Sequence, residues 1–225
     1  MFGCDEHFPI VSHSQGSRNG DCATYREWLY LAIPYLGKGR RMSADHIEIR
    51  RLSREDAADA VLYRDIRLEA LQANPEAFGS TFEVENAQPL SLFSDRLGSF
   101  TVLGAFRETE LVGIAGFAVQ HGQKKAHKGI LWGMYVRPAA RNAKVGRRLV
   151  EAVCNHARQQ VELIQLSVVV DNEQARSLYA RLGFLEYGVE KNALKQAGRY
   201  YDEVLMAKNL LGQSNQDTLL RALPR

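Results

Sequence analysis

The chain has 225 residues, of which 45% are apolar and 24% charged, values typical of a soluble globular protein with one domain and short appendages. The formal net charge of +3 is too small to indicate nucleic-acid binding, so any basic function has to be local. Cys4, Cys22 and Cys154 form neither a disulfide framework nor a zinc-binding spacing, and no apolar run reaches membrane-spanning length. We therefore expect a cytoplasmic protein that binds no metal, no nucleic acid and no membrane.

The N-terminal residues 1–41 show no sustained periodicity and are rich in turn-forming residues, as in the stretch SHSQGSRNGD. Regular patterns begin abruptly after Met42, which we interpret as the natural start of the protein. The alternative is that the apolar stretch 28–36 forms a docking or membrane-contacting arm. The expected organisation is a poorly ordered extension over 1–42, one domain over 43–210 and a polar tail over 211–225.

The first regular elements of the domain are a strand and a helix. Residues 46–52 alternate between apolar and polar side chains, which predicts a half-buried strand. Ser53 and Asp56 resemble a capping box that begins a helix. The apolar face of this helix recurs every fourth residue, at Ala58, Leu62, Ile66 and Ala70. The helix should end within 73–79, where Pro75 and Gly79 interrupt it.

The middle of the chain predicts a short helix followed by three strands. The helix is expected around 87–97. Two strands follow within 100–122 and are joined by a turn at 108–110. The third strand spans 129–136 and is stopped by Pro138.

The next segment reads as helix, strand and helix. The first helix begins near Val145 and has an apolar face formed by Val145, Leu149, Val153 and Ala157. Residues 163–170 are almost continuously apolar, which predicts a central strand covered on both faces. Asp171 with Gln174 can cap the second helix, which stops at Gly183 and turns Ala175, Leu178 and Leu182 inward.

Two strands, at 184–191 and 200–210, complete the domain. A strand-helix-strand unit of the length seen over 129–170 implies a parallel pair joined by a right-handed crossover. The flanking hairpins imply antiparallel strands elsewhere. The predicted fold class is therefore α+β with a mixed sheet.

Basic side chains are concentrated where the helix at Val145 begins. They are Arg137, Arg141, Lys144 and Arg147. A helix N-terminus presents unpaired N–H groups that bind phosphate, and Gly146 allows close approach to the backbone. The alternative is a solvated basic patch without a ligand. No Walker spacing and no dinucleotide-binding glycine pattern occurs elsewhere.

Two neighbouring blocks, GMYVRPAARNAKVGRRLVEAV and LSVVVDNEQARSLYARLGF, together resemble the GNAT superfamily of acetyl-CoA-dependent N-acetyltransferases. The second block matches the family pattern at Asn172, Ala175, Tyr179, Gly183 and Phe184. In the first block Arg141, Val145 and Gly146 fit, whereas Lys144 replaces the first glycine of the pyrophosphate loop. The resemblance implies a central mixed, mostly antiparallel sheet of six or seven strands with one central parallel pair, flanked by about four helices.

The resemblance also implies the residues that hold acetyl-CoA. They are Met134, Tyr135, Val136, Arg141, Asn142, Ala143, Lys144, Val145, Gly146, Arg147, Asn172 and Tyr179. The strand residues would offer backbone groups to the pantetheine arm, and the loop would hold the pyrophosphate. For Asn172 helix capping is an equal alternative. At Lys144 we expect a helical backbone, because lysine then costs nothing and adds an ammonium that attracts phosphate.

Acetyl transfer to an amine needs a general acid, which protonates the departing thiolate, and a general base, which takes a proton from the amine. In the family a tyrosine at the place of Tyr179 is the acid; the alternative is a core tyrosine. Glu83 or Glu85 could be the base, with Phe78 and Phe82 lining the same pocket. Asp202 and Glu203 on the last strand are competing carboxylates.

We therefore predict an N-acetyltransferase that transfers the acetyl group of acetyl-CoA to a primary amine of a small molecule by direct attack in a ternary complex. One alternative acceptor is a protein N-terminus or a lysine. An alternative of another class is a non-catalytic acyl-CoA-binding regulatory module. The last strands and the tail could serve a homodimer.

Overall fold

A computed structural model of the chain describes residues 46–211. The expectations for the extension 1–42 and for the tail after residue 211 lie outside the described residues. The strands are β1 Ile47–Arg51, β2 Thr101–Arg107, β3 Glu110–Val119, β4 Lys128–Val136, β5 Leu163–Val169, β6 Leu185–Gln196 and β7 Arg199–Asn209. The α-helices are α1 Ala57–Ala73, α2 Phe82–Asn86, α3 Leu90–Ser99, α4 Val145–Ala157 and α5 Glu173–Arg181. Of these helices none has the length and apolar character needed to cross a bilayer.

All seven strands form one sheet in the order β1-β2-β3-β4-β5-β7-β6. Every neighbouring pair is antiparallel except β4 and β5, which are parallel. The predicted mixed sheet with one central parallel pair is confirmed. Five α-helices flank it in the described part of the chain, against the four expected. The helix that sequence reasoning missed is α2, whose 5 residues are too few to show a helical period.

The sheet separates two apolar clusters. One cluster joins α4 to the sheet and extends to Tyr179 and Phe184, while the other joins α1 and α3 to β2, β3 and β4. The predicted inward face of α4 is confirmed, because Val145, Leu149, Val153 and Ala157 are all at most 1% exposed. The core therefore holds both parallel strands and the helix between them as one packed unit.

The buried face of α1 is rotated relative to the prediction. Asp56 caps the helix by accepting from the Ala58 N–H at 2.9 Å. Ala58 itself is exposed, and the buried stripe runs instead through Ala60, Tyr63, Ile66 and Ala70. A strict four-residue spacing drifts across the surface of a helix with 3.6 residues per turn, which explains the offset.

Strand β5 is fully covered on one face, whereas its other face is covered only in part, near Val169, so the prediction of two covered faces holds only in part. Ile164, Leu166 and Val168 are buried, whereas Gln165 is half-buried and Ser167 is exposed. The cluster that contains α1 and α3 includes residues of β2, β3 and β4 but none of β5. The second face of β5 is therefore less covered than that of its neighbour β4.

Candidate active site

The two parallel strands separate toward their C-terminal ends. Their register pairs stop at Ile130 and Gln165, although both strands continue. Strand β4 also carries a bulge, in which Gly133 and Met134 together oppose a single residue of β3. Gly133 has a φ of +61°, a conformation that favours glycine. The bulge therefore lies in the part of β4 that is no longer paired with β5, next to the opening between the two strands.

A cavity of about 830 Å³ lies at this opening. One part of its lining comes from the end of β4, the first turn of α4 and the loop between them, which carries the basic side chains and is called the basic loop below. The rest comes from the end of β5, helix α5, the segment after α1 and the start of β7. Eleven of the twelve predicted cofactor residues line it: Met134, Tyr135, Val136, Arg141, Asn142, Lys144, Val145, Gly146, Arg147, Asn172 and Tyr179. Ala143 does not line the cavity. The two sequence blocks therefore meet around one space.

The basic loop has an unusual backbone just before α4. Asn142 and Lys144 both have positive φ, at 66° and 58°. Lys144 is the N-cap residue with a ψ of 14°, so the helical backbone predicted there is wrong. The chain needs a left-handed residue to turn from the loop into the helix, and the usual glycine has been replaced. Such alternating conformations direct successive backbone N–H groups to one side, where an anion can bind.

The four cations of this region do not act together. Arg137 is held by Glu69 at 2.8 Å and Glu110 at 3.0 Å and does not line the cavity. Arg147 pairs with Glu151 at 2.8 Å on the exposed surface of α4. Lys144 is exposed at the cavity edge. Anion attraction at the loop therefore depends on fewer free charges than the sequence indicates.

Gly146 allows the first turn of α4 to pack against its neighbours. A Cβ atom added there would lie 3.0 Å from Met134 Cε and 3.3 Å from Leu178 Cδ2. Both of those side chains line the cavity. A larger residue at this position would push them into the space where a ligand would sit, so glycine here keeps the cavity open.

The α5 N-terminus is capped by Asn172 and not by Asp171. The Asn172 Oδ1 accepts from the Ala175 N–H at 3.1 Å. Asp171 instead pairs with Arg199 at 3.2 Å, so the predicted Asp171 cap is wrong. The predicted cap is one residue too early. Because α5 begins at Glu173, the N-cap position, which directly precedes the helix, belongs to Asn172. Asn172 thus caps α5 and lines the cavity as well.

Tyr179 reaches the cavity from α5 and is only 6% exposed. Its hydroxyl donates to Met134 Sδ at 3.5 Å, and its ring packs edge-on against Phe184. Burial raises the pKa of Tyr179, so its hydroxyl stays protonated at neutral pH. The side chain can act as a proton donor into the cavity.

The carboxylates predicted as bases lie elsewhere. Glu83 is exposed on α2 and does not line the cavity. Glu85 is 1% exposed and accepts from Arg67 and Arg96, each at 2.8 Å. Although burial raises the pKa of Glu85, the hydrogen bonds and charges of these two arginines hold it below its ordinary value. A carboxylate fixed in its ionised form is a weak proton acceptor, which does not suit a base.

The competing carboxylates on β7 also lie outside the cavity lining. Asp202 accepts from Lys191 Nζ at 2.7 Å and from the Asn192 N–H at 2.9 Å. These hydrogen bonds lower the pKa of Asp202. Glu203 pairs in register with Val169 of β5 and Glu190 of β6.

Sequence reasoning missed part of the cavity wall. The missed residues come from the segment after α1 and from the start of β7, and they are Asn74, Glu76, Ala77, Arg199 and Tyr201. Phe78, which the sequence predicts as a pocket residue, belongs to the same wall. The stretch 73–79 carries Pro75 and Gly79, which indicated only a helix end. A second missed group is Glu69 on α1, which accepts from the Tyr135 hydroxyl at 3.0 Å and ties α1 to the end of β4.

Comparison with known proteins agrees with the resemblance seen in the two sequence blocks that meet at the cavity. The sequence profile of the Acetyltransferase (GNAT) family matches residues 64–184, more than half of the chain. No curated protein sequence matches significantly.

Solved structures share the fold. A ribosomal-protein-alanine N-acetyltransferase from Brucella melitensis is 25% identical over 72% of this chain and 99% of its own, with a TM-score of 0.60. The putative acetyltransferase yncA from Salmonella typhimurium, solved with its cofactor acetyl-CoA, is 20% identical over 75% of this chain and 96% of its own, with a TM-score of 0.62. A GNAT-family acetyltransferase from Streptococcus pneumoniae is 20% identical over 73% and 99%, with a TM-score of 0.61. The family profile covers the cavity lining from Asn74 to Arg181, and the chain belongs to the GNAT family of acetyl-CoA-dependent acetyltransferases.

Proposed function

We propose that this acetyltransferase transfers the acetyl group to a primary amine of a small molecule by direct attack in a ternary complex. The observation that supports this most is the composition of one cavity. The residues assigned to acetyl-CoA line it together with the segment after α1 and the start of β7, which carry no cofactor assignment. Two substrates held in one space can react without a covalent enzyme intermediate.

The cavity residues fit acetyl-CoA. The N-terminus of α4 with its left-handed loop suits the pyrophosphate, since its N–H groups have no helical partner. Gly146 leaves room for the apolar side chains of Met134 and Leu178, which line the adjoining part of the cavity. Beyond it, the bulged end of β4 offers backbone groups that no register pair with β5 occupies. These residues would hold the pyrophosphate and the pantetheine arm.

Direct attack is favoured because the described residues place neither of the usual acyl-carrying nucleophiles, serine and cysteine, in the cavity lining. Cys154 is a buried residue of α4 outside the cavity lining, and burial raises the pKa of its thiol. A thiol kept protonated in the core cannot carry an acetyl group between two substrates.

The protons balance with Tyr179 as the acid. Acetyl-CoA supplies the thioester, whose C–S bond breaks as the amine nitrogen bonds to the carbonyl carbon. Tyr179 would give its hydroxyl proton to the departing sulfur and recover one from the nitrogen. Tyr179 fits this role because it lines the cavity and its buried hydroxyl stays protonated, beside Met134 of the same lining. A carboxylate or water must take the proton that the protonated amine loses before attack.

A second candidate acceptor is the N-terminus of a protein. It is favoured by the Brucella structure, a ribosomal-protein-alanine N-acetyltransferase at 25% identity. A cytoplasmic location and a homodimer also remain predictions.

The test is release of free thiol from acetyl-CoA across small amines, amino acids and short peptides with free N-termini. We expect the highest kcat/KM with small primary amines. A preference for peptides by tenfold or more would replace the small-molecule acceptor with a protein N-terminus. If no acceptor of either class caused thiol release, the transferase proposal for this site would be contradicted.

A further inference from the structure

Glu76 is a carboxylate on the cavity wall that none of the predicted roles includes. It lies in the middle of a 3-10 turn, Pro75–Ala77, that follows α1. Pro75 fixes the first position of the turn, and the Ala77 N–H donates to the Asn74 carbonyl at 3.0 Å. The side chain is partly buried and lines the same cavity as Tyr179 and the end of β4. A rigid turn therefore presents one carboxylate to the reacting space.

The other carboxylates near this wall are already engaged or face away. Asp171 is the second carboxylate in the lining, and it pairs with Arg199. Glu85 is enclosed by two arginines, and Glu83 is exposed outside the cavity. Within residues 46–211 Glu76 forms no ion pair. It is thus the cavity carboxylate whose charge is available to a ligand.

Aromatic rings accompany Glu76 on the same wall. Phe78 is two residues further along, and the Arg67 guanidinium lies 5.0 Å from its ring centroid. Tyr201 comes from β7, and Arg199 lies 4.8 Å from its ring centroid. Because these cations belong to the protein and have carboxylate partners of their own, the rings supply flat apolar surface. The wall joins one negative charge to two rings.

We propose that Glu76 binds the acceptor as its ammonium ion and takes the proton that the nitrogen must lose before it attacks. The acceptor class that fits is a monocationic primary amine on an apolar or aromatic body, with the body against Phe78 and Tyr201. In the step the N–H bond breaks, the proton passes to a Glu76 carboxylate oxygen, and the nitrogen keeps the electron pair for attack. This inference rests on the proposed acetyl transfer.

The test compares Glu76→Gln with Glu83→Gln, a matched change on the next helix, α2, at a residue that lies outside the cavity. Two acceptors of similar shape are used: a benzylamine-type amine, cationic at neutral pH, and an aniline-type amine, neutral at that pH. We expect Glu76→Gln to lower kcat/KM for the cationic amine by about tenfold to a hundredfold, since it leaves a cation unpaired. The neutral amine should change by less than about threefold, and Glu83→Gln should match wild type with both.

Acetyl-CoA affinity and melting temperature, measured on the same proteins, should be unchanged in Glu76→Gln. Equal losses for cationic and neutral amines, or no loss for either, would overturn the role of Glu76. If Glu76→Gln melts early, Glu76→Asp keeps the charge and should retain the preference for the cationic amine; loss of that preference would also overturn the inference. Failure of acetyl transfer itself is seen separately, as absence of thiol release by the wild type with every acceptor.

Discussion

Lys144 shows how a single residue can depart from a family pattern and still serve the site. Its left-handed backbone costs a residue with a Cβ atom about 1–2 kcal/mol relative to a right-handed one. The same residue places an exposed ammonium beside the helix N-terminus. Backbone strain and anion attraction are therefore combined at one position, and substitution can separate them.

Lys144→Gly should stabilise the fold by about 1 kcal/mol, because glycine adopts positive φ without steric cost. Lys144→Ala removes the same ammonium but keeps the Cβ atom, so it should not stabilise. Both variants should bind acetyl-CoA a few times more weakly than wild type, and the loss should shrink at high salt. Urea unfolding and titration with acetyl-CoA measure the two effects; equal stability of the two variants would contradict the strain.

Tyr179→Phe should separate chemistry from binding. The hydroxyl makes one weak bond, to sulfur at 3.5 Å, so its loss should leave the fold and acetyl-CoA affinity unchanged. The thiolate would leave without its proton donor, a role worth about 10²–10⁴ in rate. We expect the low end, because water can protonate a thiolate whose thiol has a pKa of about 8.5. An unchanged kcat, with chemistry shown to be rate-limiting, would leave Tyr179 as a packing residue.

At the scale of elements, three helices are joined by one buried charge cluster. Arg67 on α1 and Arg96 on α3 both bind Glu85 on α2, and Arg67 also lies against Phe78 of the cavity wall. A Cβ atom added to Gly133 of the β4 bulge would lie 3.7 Å from Arg67 Nη1. The cluster therefore connects Phe78 of the cavity wall to the bulge of β4.

Glu85→Gln should lower stability at pH 7 by about 3–5 kcal/mol, because two buried or half-buried guanidinium groups lose their counter-charge. The pKa of Glu85 is lower in the folded state than its ordinary 4.5, so its contribution is complete above that pH. The contribution disappears as pH falls further, through the folded pKa. Acid unfolding of the variant should consequently be shallower than that of wild type. Glu83→Gln on the same helix is the control. An equal loss of stability in that variant would contradict the stabilising role of the charge cluster.

The elements that local pattern encodes could be predicted. The apolar face of α4, which recurs every fourth residue, and the helix within the block from Asn172 to Phe184 are both encoded by residues close together in the chain. The structure has both helices where the sequence predicts them. Glu76 and Tyr201 could not be predicted to line one cavity, because only the folded chain brings the segment after α1 and the start of β7 to the same space. The burial of Glu85 could not be predicted either, since a carboxylate in a short polar helix usually faces solvent.

At the scale of the whole molecule, the described domain is one sheet with apolar clusters on both faces, and the cavity opens where its two parallel strands separate. A ligand there contacts β4, α4, β5 and α5 together. Binding should therefore stabilise the domain as a unit and not a single loop.

Acetyl-CoA at 100 times its dissociation constant should add about 2.7 kcal/mol to the free energy of unfolding. Thermal unfolding with and without acetyl-CoA, in the presence of a chelator, measures this gain. Free adenosine, which lacks the pyrophosphate and the pantetheine arm, should give a much smaller shift. The absence of a shift at saturating acetyl-CoA would contradict the assignment of the cavity.

The separation of β4 from β5 also has a consequence for hydrogen exchange. Beyond Ile130, the amides of β4 that face β5 have no partner strand, although they belong to the centre of the sheet. Without ligand we expect these central amides to exchange with deuterium as quickly as those of an edge strand, while amides shared by β2 and β3 stay protected. Saturation with acetyl-CoA should slow exchange in residues 131–136 from the rate of an edge strand to that of a paired one, whereas β2 and β3, which are already paired, should gain only the stabilisation that the whole domain gains. The middle of this sheet would then be ordered only in part by its own chain, with the substrate taking the place of the missing strand contacts.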